Sequence, residues 1–216
     1  MTFQVALVGT DGIIVGSDRR IAMMGAQSGR KPEWQFIVGS KFVFTKDESV
    51  ICFGAGGPQA QNIAQAIVNH GDPSQTYTSW CESLRNIAES VPGNSVGDEV
   101  LVVRKSVPDV ILVNRDGRIA GTSKISDRIC TGVTATVRFL TQHFWEPAPV
   151  ESLKNFALLV LDYAARERSS EVGFGFDLMV LERGIIKWER YEPDDERIRT
   201  IHERFQTGVG RLLVAV

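Results

Sequence analysis

Apolar positions fall into short β-type runs near both ends of the chain, with helical-period segments between them. Phe3–Val8 is apolar and rich in β-branched residues, and Ile13–Val15 opens a second such run that reaches Asp18. Neither run alternates strictly, which predicts strands covered on both faces. Gly9-Thr10-Asp11-Gly12 lies between them. Asp-Gly tolerates the positive φ of a tight turn, so residues 3–18 read as a hairpin. Ile21–Trp34 contains Gly25, Gly29 and Pro32 and reads mostly as loop. Lys41–Thr45 and Ser49–Phe53 flank Lys46-Asp47-Glu48 as a second hairpin.

Gly54-Ala55-Gly56-Gly57-Pro58 then reads as a flexible turn leading into a helix. Ala60, Ile63, Ala64 and Ile67 recur at helical spacing up to Gly71, a C-terminal stop. Asp72-Pro73-Ser74 restarts a helix carrying Trp80, Leu84, Ile87 and Ala88. Glu99–Arg104 and Asp109–Val113 are predicted strands, with Asn114-Arg115-Asp116-Gly117 as the turn after them. Arg128-Ile129-Cys130 is a short strand, Thr131-Gly132 opens a helix through Phe144, and a long helix runs from Val150 to about Arg168. Phe174–Leu181 and Ile185–Glu189 flank Arg183-Gly184 as a last hairpin. The tail from Pro193 is helical to about Phe205. Runs of strands alternating with paired helices are not a βαβ pattern. They predict an α+β fold in four layers, an αββα sandwich of two antiparallel sheets covered by helix pairs. Residues 1–216 show no repeat or linker and read as one domain.

Composition adds exclusions. The 216 residues are 43% hydrophobic and 23% charged, as in an ordinary globular domain. A net charge of −2 gives no electrostatic case for nucleic acid or an anionic membrane. No apolar run is long enough to span a bilayer, and the N-terminus lacks the features of a secretion signal. Cys52, Cys81 and Cys130 are odd in number and widely spaced, so a cytoplasmic protein with reduced, buried thiols is expected. His70, His143 and His202 are scattered, which predicts no metal site. No cofactor is expected.

The chemistry-bearing stretch is Met1-Thr2, with Gly16-Ser17-Asp18-Arg19-Arg20 returning at the end of the hairpin. Once Met1 is removed, Thr2 carries a free α-amine and a hydroxyl on one residue, a nucleophile with its own general base. An α-amine has a reference pKa of about 7.7–8.0, so part of it is neutral near pH 7. A nearby ammonium would favour the active form.

These residues are similar to those of the β-type subunits of proteasomes and the bacterial HslV peptidase, which are N-terminal nucleophile hydrolases. In that family a mature Thr is followed sixteen positions later by an Asp in a segment like A-D-R-R, matched here by Thr2 and by Asp18 in Ser17-Asp18-Arg19-Arg20. A Lys before an apolar strand matches Lys41. A Gly-rich turn matches Ala55-Gly56-Gly57-Pro58-Gln59-Ala60-Gln61. G-S-G before a helix matches Cys130-Thr131-Gly132, and R-D-x-x-S-G after the long helix matches Arg166-Glu167-Arg168-Ser169-Ser170-Glu171. Thr131 stands for Ser, Glu167 for Asp and Glu171 for Gly, and Lys41 lies farther along than the family spacing. Resembling neither a close HslV nor a β-subunit with a long propeptide, the chain is most similar to the small bacterial proteasome homologues.

The resemblance implies an N-terminal nucleophile hydrolase fold and a threonine endopeptidase. Thr2 is its nucleophile, Asp18 holds Lys41 charged and oriented, and Thr131, Glu167 and Ser170 fix the amine and its water. Ala55 or Gly56 supplies an oxyanion N–H, and Phe53 and Arg20 contact substrate. It also implies a self-assembled double ring of six or seven subunits per ring. Peptide or unfolded protein is the substrate, and an ATP-dependent unfoldase is a candidate partner. Two alternatives stand beside it. One is an N-terminal nucleophile amidase acting on a small molecule. The other is a non-catalytic ring subunit, which retention of Met1 would favour because a blocked amine cannot act as base.

Overall fold

The computed structural model describes residues 3–25, 33–131, 135–169 and 172–214. Its elements in chain order are β1 (Gln4–Val8), β2 (Gly12–Asp18), β3 (Arg20–Gly25), β4 (Glu33–Val38), β5 (Phe42–Phe44), β6 (Val50–Gly56), α1 (Ala60–His70) and α2 (Tyr77–Ser90). There follow β7 (Ser95–Arg104), β8 (Asp109–Gly117), β9 (Ile119–Ile125), β10 (Arg128–Thr131), α3 (Ala135–His143), α4 (Val150–Glu167), β11 (Phe176–Glu182), β12 (Ile185–Tyr191) and α5 (Glu196–Val214). The fold is α+β. Among the described residues it has five helices, two five-stranded sheets and a two-stranded ribbon of β3 and β4, with every strand pair antiparallel.

The first sheet has the order β10-β1-β2-β11-β12 and the second β5-β6-β7-β8-β9. Side chains alternate across a strand, so each sheet buries two sets. In the first sheet Phe3, Val5, Leu7, Ile14, Phe176 and Leu178 pack with Leu153, Ala157, Leu158, Leu161 and Ala164 of α4. In the second, Val50, Cys52, Val100 and Val102 pack with Ile63 and Ile67 of α1 and with Trp80 and Leu84 of α2. The remaining faces meet each other: Ala6, Ile13, Val15, Met179 and Leu181 lie against Phe42, Ile51, Phe53, Leu101 and Val103. Gly16 lets α4 approach β2 closely, since a Cβ there would lie 2.6 Å from Leu178 Cδ2 and 2.9 Å from Leu161 Cδ1. Asp11, at the β1–β2 turn, accepts the Val150 N–H at 2.8 Å and caps the start of α4. At the other end, α5 lies on α4 through His202, whose Nδ1 is 2.7 Å from the Asp162 carboxylate, and whose ring stacks on Tyr163.

Four segments differ from the sequence expectation. Arg20–Gly25 and Glu33–Val38 pair as a ribbon rather than a loop, in register from Arg20↔Val38 to Gly25↔Glu33. Gly25, one of the expected breakers, is the last residue of β3. β6 runs through Gly54 and Ala55 to Gly56, so the Gly-rich stretch begins as strand and turns only after Gly56. β8 continues through Asn114 and Arg115, and the chain turns at Gly117, where φ is +65°, into a ninth strand that periodicity did not separate. Arg115 belongs in the strand because its guanidinium is buried against Asp98. Lastly, α5 extends past Phe205 to Val214.

The Asp98–Arg115 pair ties the second sheet to its helices. Both residues are 1% exposed. Arg115 Nη2 donates to Asp98 Oδ2 at 3.2 Å, and its Nη1 donates to the carbonyls of Ala88 at 2.9 Å and Val91 at 2.7 Å. Asp98 Oδ1 accepts the Gln59 N–H at 3.1 Å, and Ser95 Oγ donates to Oδ2. Removing one partner of a buried pair leaves a desolvated charge, which costs about 3–5 kcal/mol. Asp98→Ala is therefore expected to lower unfolding free energy by about that much. The double variant Asp98→Leu/Arg115→Met should lose less than Asp98→Ala alone. Urea denaturation monitored by circular dichroism checks both.

Candidate active site

β2 is the middle strand of the first sheet and ends at Asp18, which is buried between β1 and β11. The Asp18 carboxylate accepts four hydrogen bonds. Oδ1 takes the Phe3 N–H at 2.9 Å and Lys41 Nζ at 2.7 Å. Oδ2 takes the Arg20 N–H at 3.1 Å and the Gly173 N–H at 3.2 Å. A desolvated carboxylate needs such partners, and here they come from four separate segments. Lys41 stands immediately before β5, so this ion pair joins the two sheets. Burial pushes the Lys41 ammonium below its usual pKa; Asp18 offsets part of that shift, and the charge of Arg20 adds to it.

Thr2 lies outside the described residues, as does Ser170. The described neighbours of both border on Asp18. Phe3, one peptide bond after Thr2, gives its N–H to Asp18 and takes the Asp18 N–H on its carbonyl at 3.3 Å. After α4, the Ser169 carbonyl accepts from Arg20 Nη1, and Gly173 N–H reaches Asp18. A Cβ on Gly173 would lie 2.5 Å from Arg20 Cβ, so the segment is seated tightly on β3. Arg20 thus holds the chain after α4.

Thr131 is buried at the end of β10 and faces Gln4 across β1, donating its hydroxyl to Gln4 Oε1 at 3.3 Å. Glu167 is exposed on the last turn of α4 and makes no hydrogen bond or ion pair with a described residue. Of the two oxyanion candidates, Ala55 is 2% exposed, whereas Gly56 is exposed with φ of +83°. Only glycine fits at Gly56, where a Cβ would lie 2.0 Å from the Gly97 carbonyl oxygen. The Gly57 N–H bonds that same oxygen at 2.9 Å, and the Asp98 pair holds Gln59, so the turn is fixed on both sides. Phe53 is fully buried in the core between the sheets, with its ring centroid 4.7 Å from that of Phe42, which separates it from any open surface.

Two residues around the site escaped the sequence reading. Gln4 carried a signal, as the one amide in the run Phe3–Val8. Gly173 did not, because its value lies in an N–H that only the fold directs at Asp18. Burial pushes the Cys130 thiol up to about 12 and the Cys52 thiol higher still, so neither is a thiolate nucleophile. No group of His, Cys, Asp and Glu able to hold a metal occurs among the described residues, and no helix there is long and apolar enough to cross a membrane.

No protein-family model matches the sequence, and no curated protein matches it. Solved structures do. A Gly-1 mutant of Anbu from Hyphomicrobium sp. strain MC1 superposes with a TM-score of 0.72 at 15% identity, over 100% of this chain and 98% of that one. Anbu from Yersinia bercovieri, described as an ancestral beta-subunit, gives 0.69 at 16% identity, over 99% of this chain and 97% of that one. A structure described as the helical assembly of the Anbu complex from Pseudomonas aeruginosa gives 0.68 at 16% identity, over 99% and 96%. The chain shares the fold of these Anbu structures. This corrects the resemblance to proteasome β-type subunits, HslV and the small bacterial proteasome homologues, because Anbu is a distinct group and not HslV-like. That match runs over 100% of the chain and so takes in the β3–β4 ribbon, which the motif comparison treated as an enlarged loop.

The buried Lys41 ammonium has a testable linkage. Its folded pKa is below 10.5, so between those two values the unfolded chain binds more protons than the folded one. Stability contributed by Lys41 therefore rises with pH through that window and is flat below it. The difference in urea midpoint between wild type and Lys41→Met should change in that direction, favouring wild type increasingly as pH rises through the window.

Proposed function

We propose that the chain is a threonine-type endopeptidase that acts through Thr2, exposed by removal of Met1. It is read as one cytoplasmic domain with its layers in αββα order, an arrangement supported by the three hydrophobic clusters. The observation that carries the proposal is the Asp18 carboxylate, which holds Lys41 Nζ and the Phe3 N–H on one oxygen. A buried cation is thereby fixed next to the amide that follows the nucleophile.

The chemistry follows from that placement. The neutral α-amine of Thr2 takes the hydroxyl proton as Oγ attacks the scissile carbonyl. The ammonium of Lys41 lowers the pKa of both groups. Charge gathers on the carbonyl oxygen, and the Gly56 N–H is the favoured donor for it, since Gly56 is the exposed one of the two candidates. The tetrahedral adduct collapses as the C–N bond breaks and the α-ammonium returns its proton to the departing amine. That leaves an ester on Thr2, which water, deprotonated by the same amine, then hydrolyses. Thr131 and Ser170 are read as groups that orient the amine. Glu167, exposed and turned to solvent, joins them only if the segment after α4 brings a partner to it.

Copies of the chain are proposed to assemble with one another. A head-to-tail contact closes into a ring when its rotation closes and grows into a helix when it does not. The Pseudomonas structure is described as a helical assembly. Peptide or unfolded protein entering the assembly would be the substrate, with an ATP-dependent unfoldase as a candidate partner.

Thr2→Ala removes the nucleophile and keeps the amine. It is expected to lower cleavage of fluorogenic peptides by at least about 10³-fold, on the scale of losing a catalytic nucleophile. The size-exclusion profile should be unchanged. Undiminished turnover in Thr2→Ala would refute the assignment.

A further inference from the structure

A chain of side chains leads from α5 across the end of α4 to Asp18. α5 docks on α4 through Ile198, Ile201, His202 and Phe205, which are spaced as one helical face. His202 thus stands in an apolar seam, with its side chain 13% exposed and its ring stacked on Tyr163. Opposite it is Asp162 of α4, 1% exposed. Asp162 Oδ2 lies 2.7 Å from His202 Nδ1 and accepts Arg166 Nε at 2.8 Å. Asp162 Oδ1 is buried with no hydrogen-bond partner among the described residues. Arg166 is half-exposed, and its guanidinium lies over the Phe174 ring, 5.8 Å from the centroid.

Phe174 is the side-chain handle of its segment, since both of its neighbours are glycine. Those neighbours act through backbone. The Gly173 N–H donates to Asp18 Oδ2 at 3.2 Å, and the Gly175 carbonyl accepts the Arg19 N–H at 3.0 Å. The Phe174 side chain itself is 37% exposed, and Arg166 covers it. An exposed contact between a cation and a ring is weak, so it is readily made and lost. Guanidinium and carboxylate pair most strongly as a fork of two parallel hydrogen bonds. Arg166 makes one such bond to Asp162, on the oxygen that His202 shares. The open Oδ1 gives it a second arrangement.

We propose that α5 is a regulatory strap on the candidate site. While His202 shares the Asp162 carboxylate, Arg166 stays over Phe174 and the Gly173 N–H is held against Asp18. When α5 lifts from α4, the buried carboxylate loses a partner and draws Arg166 into the fork through Oδ1. The guanidinium then leaves Phe174, and Asp18 loses a donor. Arg166 is the positioning residue: it touches Asp162 and Phe174 and acts on Asp18 through Gly173. The coupling itself needs no catalysis, whereas its effect on turnover rests on the peptidase reading above.

The test compares the full chain as wild type, His202→Leu, Arg166→Met and the double variant. Leucine keeps the apolar seam and removes the partner of Asp162. Hydrogen–deuterium exchange read by mass spectrometry follows the peptide spanning residues 172–176, and turnover of a fluorogenic tripeptide amide is measured in parallel. Each single variant is expected to speed exchange of that peptide by about three- to tenfold, the scale of one charge–ring or charge-assisted contact. Exchange in β7 and β8 should not change. The double variant should go no further than the faster single one, because both act along one path. Arg166→Lys, which keeps a cation between Asp162 and Phe174, should restore much of the protection. kcat should fall in the single variants with KM unchanged. Unchanged exchange of residues 172–176 in either single variant overturns the strap, and with Thr2-dependent turnover intact it leaves the peptidase reading standing. Effects that add in the double variant also overturn it, as does faster exchange spread equally over β7 and β8, the mark of general destabilisation. Faster exchange with kcat unchanged overturns the regulation. Exchange that changes as expected without Thr2-dependent turnover in wild type supports the coupling and overturns the peptidase reading instead. His202→Phe, which keeps the stack on Tyr163, provides the same comparison if His202→Leu does not fold.

Discussion

The Asp18 carboxylate is the group on which the other contacts near the N-terminus converge. Burying a charge is costly unless it is paired and fully hydrogen-bonded, and Asp18 meets that condition with one ammonium and three backbone N–H groups. Those donors belong to the start of β1, the start of β3, the residue before β5 and the segment after α4. Three segments distant in sequence from Asp18 are thus held to one point, together with the neighbouring Arg20 N–H. Buried ion pairs contribute little net stability compared with apolar packing, so the pair is better understood as fixing position than as adding strength. Its distinctive feature is that one carboxylate oxygen takes both a cation and the amide next to Thr2.

A second buried pair, Asp98 with Arg115, plays the matching part in the other sheet. It holds the start of α1 through Gln59 and the end of α2 through two carbonyls. Immediately before Gln59 lies the Gly56–Pro58 turn, where the backbone bends at a φ that only glycine adopts freely. The Asp98–Arg115 knot lies on the helix side of its sheet, while Phe42 and Phe53 pack in the core between the sheets. The consequence is two fixed points: a cation and a carboxylate held at the Phe3 N–H by one knot, and an exposed backbone turn held by the other.

Much of this frame was legible in the chain. The β1–β2 and β11–β12 hairpins announced themselves by apolar runs around Asp-Gly and Arg-Gly turns, and Arg183 and Gly184 do adopt positive φ. The helices α1, α2 and α4 followed from periodicity and their breakers. The β3–β4 ribbon was hidden, because Gly25 looks like a loop signal and yet is the last residue of a strand. The register of β8 was also hidden, since Asn114-Arg115-Asp116-Gly117 has turn composition and only the buried partner Asp98 explains a strand through Arg115. In the site, the Asp18–Lys41 contact could be anticipated from the motif resemblance, whereas Gly173 could not, because an N–H has no sequence signature. Phe53 reads as core from its place at a strand end and as a substrate contact only by the resemblance, and it is buried against Phe42. Glu167 was chosen by motif position, and helical phase turns it to solvent.

The account stands or falls on whether the chain presents Thr2 as its N-terminal residue with a reactive hydroxyl and amine. A peptide epoxyketone bridges those two groups on one residue, and the intact mass of the treated protein reports both facts at once. The account predicts a mass lacking Met1 and carrying one reagent, with the adduct located on Thr2. A protein that keeps Met1 and gains no adduct after assembly would contradict it.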